Sequence, residues 1–211
     1  MLALRSKRTV PQPQPDPDLD ALREAICSDD PGRAMPALAN LREFPAEQAI
    51  PLLLQGLEHS AFLVRSLACA GLGLKRSEAG WQALERALRD DDANVRAEAA
   101  NALVNYGVER SWPLLRERFA IDDQWLVRCS ILSALAEQPQ IPFAWLLELA
   151  GMAITSEDGT VRVGGAEILA RLVREGAENG ETAAAARTAL AGLQSDPDHR
   201  VAAVALSGLH G

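Results

Sequence analysis

The sequence predicts an all-α chain, an α-solenoid of about six helical hairpins. Three observations lead to that fold class. Alanine and leucine dominate while aromatic residues make up only 4% of the chain, so helices must approach closely to fill the volume that large rings would otherwise occupy. A valine followed eight residues later by a leucine recurs at Val64/Leu72, Val95/Leu103, Val127/Leu135, Val161/Leu169 and Val201/Leu209, with Arg33/Leu41 as a degenerate first copy. Successive anchors are 31, 31, 32, 34 and 40 residues apart, the range in which stacked supersecondary units repeat. Between anchors lies a second amphipathic stretch, which makes each unit a pair of helices.

The elements follow in chain order. Residues 9–18, "TVPQPQPDPD", place proline at positions 11, 13, 15 and 17, removing backbone donors and turning the preceding residues away from helix. Residues 1–18 are therefore expected to be a flexible tail, either a solvated leader or a peptide-like docking segment, and residues 19–211 the solenoid. The first helix of a pair is written in "AIPLLLQGL", "GWQALERAL", "SWPLLRERF" and "AWLLELAGM", where Ile50, Trp81, Trp112 and Trp145 hold nearly the same place. Because isoleucine serves there as well as tryptophan, the position needs apolar bulk and reads as core. Pro51 and Pro113 are expected near a helix start, where a missing N–H has no intrahelical partner.

The second helix opens with Asp30, Asp92, Asp158 or Asp198, three residues before the anchor, where a carboxylate can accept from free amides. The anchor and the positions four and eight residues on (Val95, Ala99, Leu103) then share one helical face, and the small middle residue admits a neighbour. Arg65, Arg96, Arg128 and Arg162 each follow the anchor valine; in the terminal copies that place holds Ala34 and Ala202. An arginine fixed at one repeat position suits a bridge to an acid of the neighbouring turn, with Asp90 to Asp92 and Asp122 to Asp123 as candidate partners. The glycines in "GLGLKR", "GVER" and "REGAENGET" read as hairpin turns.

The pattern D-x-x-V-R-x-x-A-x-x-A-L resembles HEAT repeats, in particular the short phycobilisome lyase HEAT-like repeat, over residues from about 19 to 211. The segments "NVRAEAANAL" and "DDQWLVRCSILSAL" look like those of small cyanobacterial HEAT-repeat proteins related to bilin lyases and to phycobilisome degradation or photosystem assembly factors. That resemblance implies an armadillo-type superhelix and two functional classes. One is a protein-binding scaffold for a pigment–protein complex, with a phycobiliprotein or photosystem assembly component as partner. The other is a bilin lyase or chromophore-detaching protein.

Composition narrows the field. With 48% hydrophobic and 24% charged residues the chain can bury a sizeable core. Its formal charge of -8, or -9 for the solenoid without the tail, argues against nucleic acid, whose affinity rests on clustered Lys and Arg. Cys27, Cys69 and Cys129 lie far apart, so neither a disulfide framework nor a thiolate metal site is indicated, and a reducing cytoplasm fits. No secretory signal and no apolar run of roughly 18 residues is apparent, so membrane insertion is not expected. His59, His199 and His210 are scattered, and no nucleophile has a general base beside it; no metal, cofactor or catalytic residue is expected.

What remains is a surface. If the second helices line the concave side, positions three and six after the anchor face a groove: Leu67 and Ala70, Glu98 and Asn101, Ser130 and Ser133, Gly164 and Glu167. This strip is expected to be small, smooth and nearly free of positive charge, and to receive another protein's helix or extended segment, with Glu98 and Glu167 selecting against acidic ligands. Phe62 and Trp125 sit at the turn edge; Trp125 either staples a helix start or offers an exposed anchor to a partner.

Overall fold

A computed structural model describes residues 18–176 and 180–210, which contain twelve α-helices and no strand. The Pro-rich tail falls outside the described residues except for Asp18, the side-chain cap of the first helix. The six hairpins are α1 (Leu19–Ile26) with α2 (Pro31–Asn40), α3 (Ala46–Gly56) with α4 (Phe62–Lys75), α5 (Glu78–Ala87) with α6 (Ala93–Val104), α7 (Val108–Ile121) with α8 (Trp125–Ala136), α9 (Phe143–Ala153) with α10 (Gly159–Glu175), and α11 (Gly180–Leu193) with α12 (His199–His210). The chain is an α-solenoid, as its repeat predicts.

The helix starts follow from their capping residues. Asp30, Asp92, Asp158 and Asp198 each accept from the amide two residues on, at 2.7–2.9 Å, satisfying a donor that has no intrahelical partner. In the second and fourth copies Ala61 and Gln124 hold this place without a side-chain cap.

Burial follows the repeat. Val64, Val95, Val127, Val161 and Val201 are completely buried, as are Ala68, Ala99, Ile131 and Ala205 one turn on. Each such valine or leucine removes apolar surface worth about 1.5–3 kcal/mol. The first copy departs by one residue: Arg33 is exposed, with Glu24 4.0 Å away at the surface, and Ala34 carries the buried position, because burying a guanidinium without a closely paired carboxylate is costly.

The even-numbered helices pack on one another along the whole array, whereas the odd-numbered ones approach far less closely. The even layer is therefore the tight inner one, and the array curves around it. Small residues permit the approach. A Cβ built on Gly73 of α4 would lie 2.9 Å from the Cα of Ala102 in α6, and one on Gly208 of α12 would lie 2.6 Å from the Cβ of Ala170 in α10.

This corrects two local expectations. "GLGLKR" is no turn: Gly71 and Gly73 lie in the last turns of α4, where tertiary approach, not chain reversal, demands glycine, and the chain reverses only at Arg76, whose φ is 39°. Pro51 and Pro113 stand at the sixth residue of α3 and α7, not at the start. Each removes a bond to the carbonyl four residues back, at exposed Glu47 and Glu109, where water can replace it. "GVER" does begin at a turn, with Gly107 at φ 109°. "REGAENGET" spans residues 177–179, outside the described residues.

Two alanine substitutions separate the roles of glycine here. Gly73→Ala is expected to destabilise by about 1–3 kcal/mol, because the obstacle is backbone. Gly151→Ala, in exposed helix with open space around it, is expected to stabilise by about 0.5–1 kcal/mol. Urea denaturation of the two variants against the native chain checks the opposite signs.

Candidate functional site

The arginines after the anchor form a ladder at the N-terminal ends of the even helices. Arg65 donates from Nε and Nη2 to the Asp90 carboxylate at 2.8 and 2.9 Å, Arg96 to Asp122 at 2.8 and 3.1 Å, and Arg162 to Asp196 at 2.9 and 2.9 Å. Each remaining Nη1 donates to two carbonyls of the arginine's own loop: His59 and Ser60, Asp90 and Asp91, Ser156 and Glu157. The carboxylates in turn accept from the amide two residues on, at Asp92, Gln124 and Asp198. One guanidinium thus fixes two successive loops. Arg96 is buried and Asp122, also held by Arg118, is almost completely so.

The first and fourth junctions depart from this plan. Between the first two hairpins Ala34 offers no head, and His59 takes over: its Nε2 donates to the Ser28 carbonyl at 2.9 Å while Nδ1 accepts from the Ala61 amide at 2.9 Å. Between the fourth and fifth hairpins the acid's place is held by Ser156, and the only hydrogen bond of the Arg128 guanidinium among the described residues is one of 3.3 Å to its Oγ. His199 and His210 are exposed. Among the described residues no group of three potential metal ligands gathers.

The register-matched rings pack on the odd-numbered side. Trp81 and Trp112 are buried and Trp145 half-buried; Trp112 and Trp145 stack with centroids 5.0 Å apart, and the Arg110 guanidinium lies 4.0 Å over Trp81. Trp125 and Phe62 stand apart as exposed residues, Trp125 by 50%. Both occupy the first residue of a helix rather than the turn before it.

The inner helices leave a line of clefts. Leu67 lines one of about 220 Å³ with Leu38, Leu41, Leu53 and Leu74. Asn101, Ser130 and Ser133 line a second of about 440 Å³, and Ser133, Gly164 and Glu167 a third of about 330 Å³. Glu98 is half-buried on α6 and lines none of the three; burial pushes its carboxyl up, opposed by a hydrogen bond from Asn101. Burial pushes the Cys69 thiol up to about 12, which leaves it protonated and unreactive.

The strip is less free of positive charge than expected. Arg42 and Lys75 rim the first cleft, Arg171 and Arg174 the third. For Lys75, Arg171 and Arg174 the cause is helix length: α4 has 14 residues and α10 has 17, against 12 for α6 and α8, and the extra turns carry these three cations beyond the repeat leucine, while Arg42 comes from the 3-10 turn that follows α2. The same extra turn of α4 brings Leu74, 59% exposed, into the first cleft, a residue that the repeat-based reading missed.

Removing a ladder acid should expose its value. Asp122→Ala leaves two guanidinium groups without their carboxylate and is expected to cost about 3–5 kcal/mol in urea unfolding. Burial alone would raise Asp90 and Asp122, but their arginines and the loop amides hold both below the usual carboxylate range; Asp196 is lowered chiefly by Arg162. A folded pKa below the unfolded value makes the ladder fully stabilising above about pH 4, with that contribution lost as pH falls further. The urea midpoint should therefore drop below about pH 4, and by less in Asp122→Ala.

Residues 50–136 match the family model for HEAT repeats. A search of the curated proteins finds no match. Among solved structures, the chain is similar to an engineered protein, with a TM-score of 0.54 and 20% identity over 91% of this chain and 95% of the other. It is also similar to the complex of CpcE and CpcF of phycocyanin lyase from Nostoc sp. PCC7120, with a TM-score of 0.56 and 16% identity over 97% of this chain and 80% of the other. At such identities these likenesses concern the fold. The chain is thus an α-solenoid of helical hairpins whose stretch 50–136 carries the HEAT-repeat signature.

Proposed function

We propose that this protein is a non-catalytic adaptor that holds a segment of another protein along its inner groove, as an assembly, stability or turnover factor for a pigment–protein complex. The observation that carries the reading is the run of three clefts along α4, α6, α8 and α10, with Leu67, Asn101, Ser130, Ser133 and Glu167 lining them; Glu98 on α6 is proposed as a further contact. An extended segment or an amphipathic helix uses such a surface by placing successive side chains into successive clefts. The cleft chemistry sets an order on the ligand: apolar at the second hairpin, polar and hydrogen-bonding at the third and fourth, mixed charge at the fifth. The pigment-complex setting comes from the resemblance of the repeat, and a phycobiliprotein or photosystem assembly component is the partner proposed on that ground.

Small clefts lined by exposed serine are easily filled by a larger side chain without disturbing the core. Ser133→Trp is expected to leave the unfolding midpoint unchanged and to weaken binding of an apo-phycobiliprotein at least tenfold, about 1.4 kcal/mol, by isothermal titration. Equal affinity in the variant would remove the groove from the reading. A covalent adduct with a new absorbance band, formed when phycocyanobilin is added to the mixture, would replace the adaptor with a lyase.

A further inference from the structure

The ladder supplies its own template for what its fourth junction lacks. At three junctions an arginine fork meets an aspartate five residues before the next anchor. At the fourth, that place is Ser156. The serine preserves one duty of the aspartate, since its Oγ accepts from the Asp158 amide at 3.2 Å as the carboxylates accept from theirs. It cannot perform the other: Arg128 Nε is fully buried with no acceptor, and Nη1 has only its long bond to the same hydroxyl. Arg128 also makes no bond to the carbonyls of its own loop, where Arg65, Arg96 and Arg162 each make two. An unpaired guanidinium at the edge of the array is therefore retained where its counterparts are neutralised.

Beside it opens a cleft of about 650 Å³ lined by Asp123, Trp125, Arg128, Ser156, Glu157 and Asp158. Trp125, half exposed, is one of the residues that line it. We propose that the junction between the fourth and fifth hairpins is a receptor for an acidic side chain of a partner protein, whose carboxylate takes the place of the missing aspartate while an adjoining apolar residue packs on Trp125. Turning the fork toward the cleft gives up one 3.3 Å hydrogen bond and a distant contact over the Phe119 ring, 5.6 Å to its centroid, and gains a bidentate pair. The neighbouring acids do not forbid this: Asp91, Asp92 and Asp198 crowd the other junctions, where the ladder carboxylate is nonetheless in place. Asp158 is moreover occupied with the Thr160 and Val161 amides. The site lies on the turn edge, outside the inner groove, and stands whether or not the groove binds anything.

The test follows the Arg128 Nε–H and Trp125 indole cross-peaks by nitrogen-15 NMR. Sodium acetate should shift both saturably, where sodium chloride at equal ionic strength does not. An acetylated, amidated Leu-Glu-Leu peptide should bind at least tenfold more tightly than acetate, and its Gln counterpart should lose that binding. Ser156→Asp should close the site from within, abolishing both shifts and raising Tm by about 3 °C; Arg128→Gln should abolish binding without that gain. Acetate shifts equal to those of chloride, or undiminished binding in Ser156→Asp, overturn the site. A peptide no tighter than acetate leaves a small-anion site and overturns the partner.

Discussion

The guanidinium that follows each anchor valine is the interaction on which the arrangement of the loops depends. An arginine has five donors in a rigid plane, and in the second, third and fifth hairpins four bonds from that plane serve two loops at once, two carbonyls behind and one carboxylate ahead. Apolar burial brings neighbouring hairpins together but is non-directional, and would tolerate sliding of one hairpin past the next. The bidentate pair removes that freedom. It sets where each even helix begins, and so which side chains reach the inner surface.

The inner surface inherits its chemistry from that register. From α6 and α8 the groove receives short and polar residues beside Val104, Leu126 and Leu132, whereas the longer α4 and α10 add Leu74 and three cations, Lys75, Arg171 and Arg174, to its two ends. The groove is thus graded along its length rather than uniform, a property suited to a ligand read in one direction. The rings Trp81, Trp112 and Trp145 face the other layer, where they fill the wider spacing of the odd helices.

Much of this was legible in the sequence. The twelve helices, the aspartate caps and the structural duty of Arg96 could be read from repetition, because a physical requirement repeated in every hairpin leaves a repeated letter. Which acid answers the arginine was not legible: Asp90, Asp91 and Asp92 are equivalent as letters, and only the loop path selects the first. The glycines of "GLGLKR" misled for a related reason, since a short-range rule reads glycine as a turn while the cause lies in Leu53 for Gly71 and in Ala102, almost thirty residues away, for Gly73. Ser156 is harder still, a common residue whose meaning is the aspartate it displaces.

In an array where each hairpin touches only its neighbours, stability is a sum of unit and interface terms, and cooperativity is limited by the weakest interface. The α8–α10 contact is less extensive than the α6–α8 and α10–α12 contacts on either side of it, and its loops lack the charged tie. At that junction the hold on the array passes from the inner loops to the outer layer, where Trp112 stacks on Trp145 and Arg116 pairs with Glu148, so the fourth and fifth hairpins are joined by rings and an exposed ion pair where three other junctions use a sheltered one.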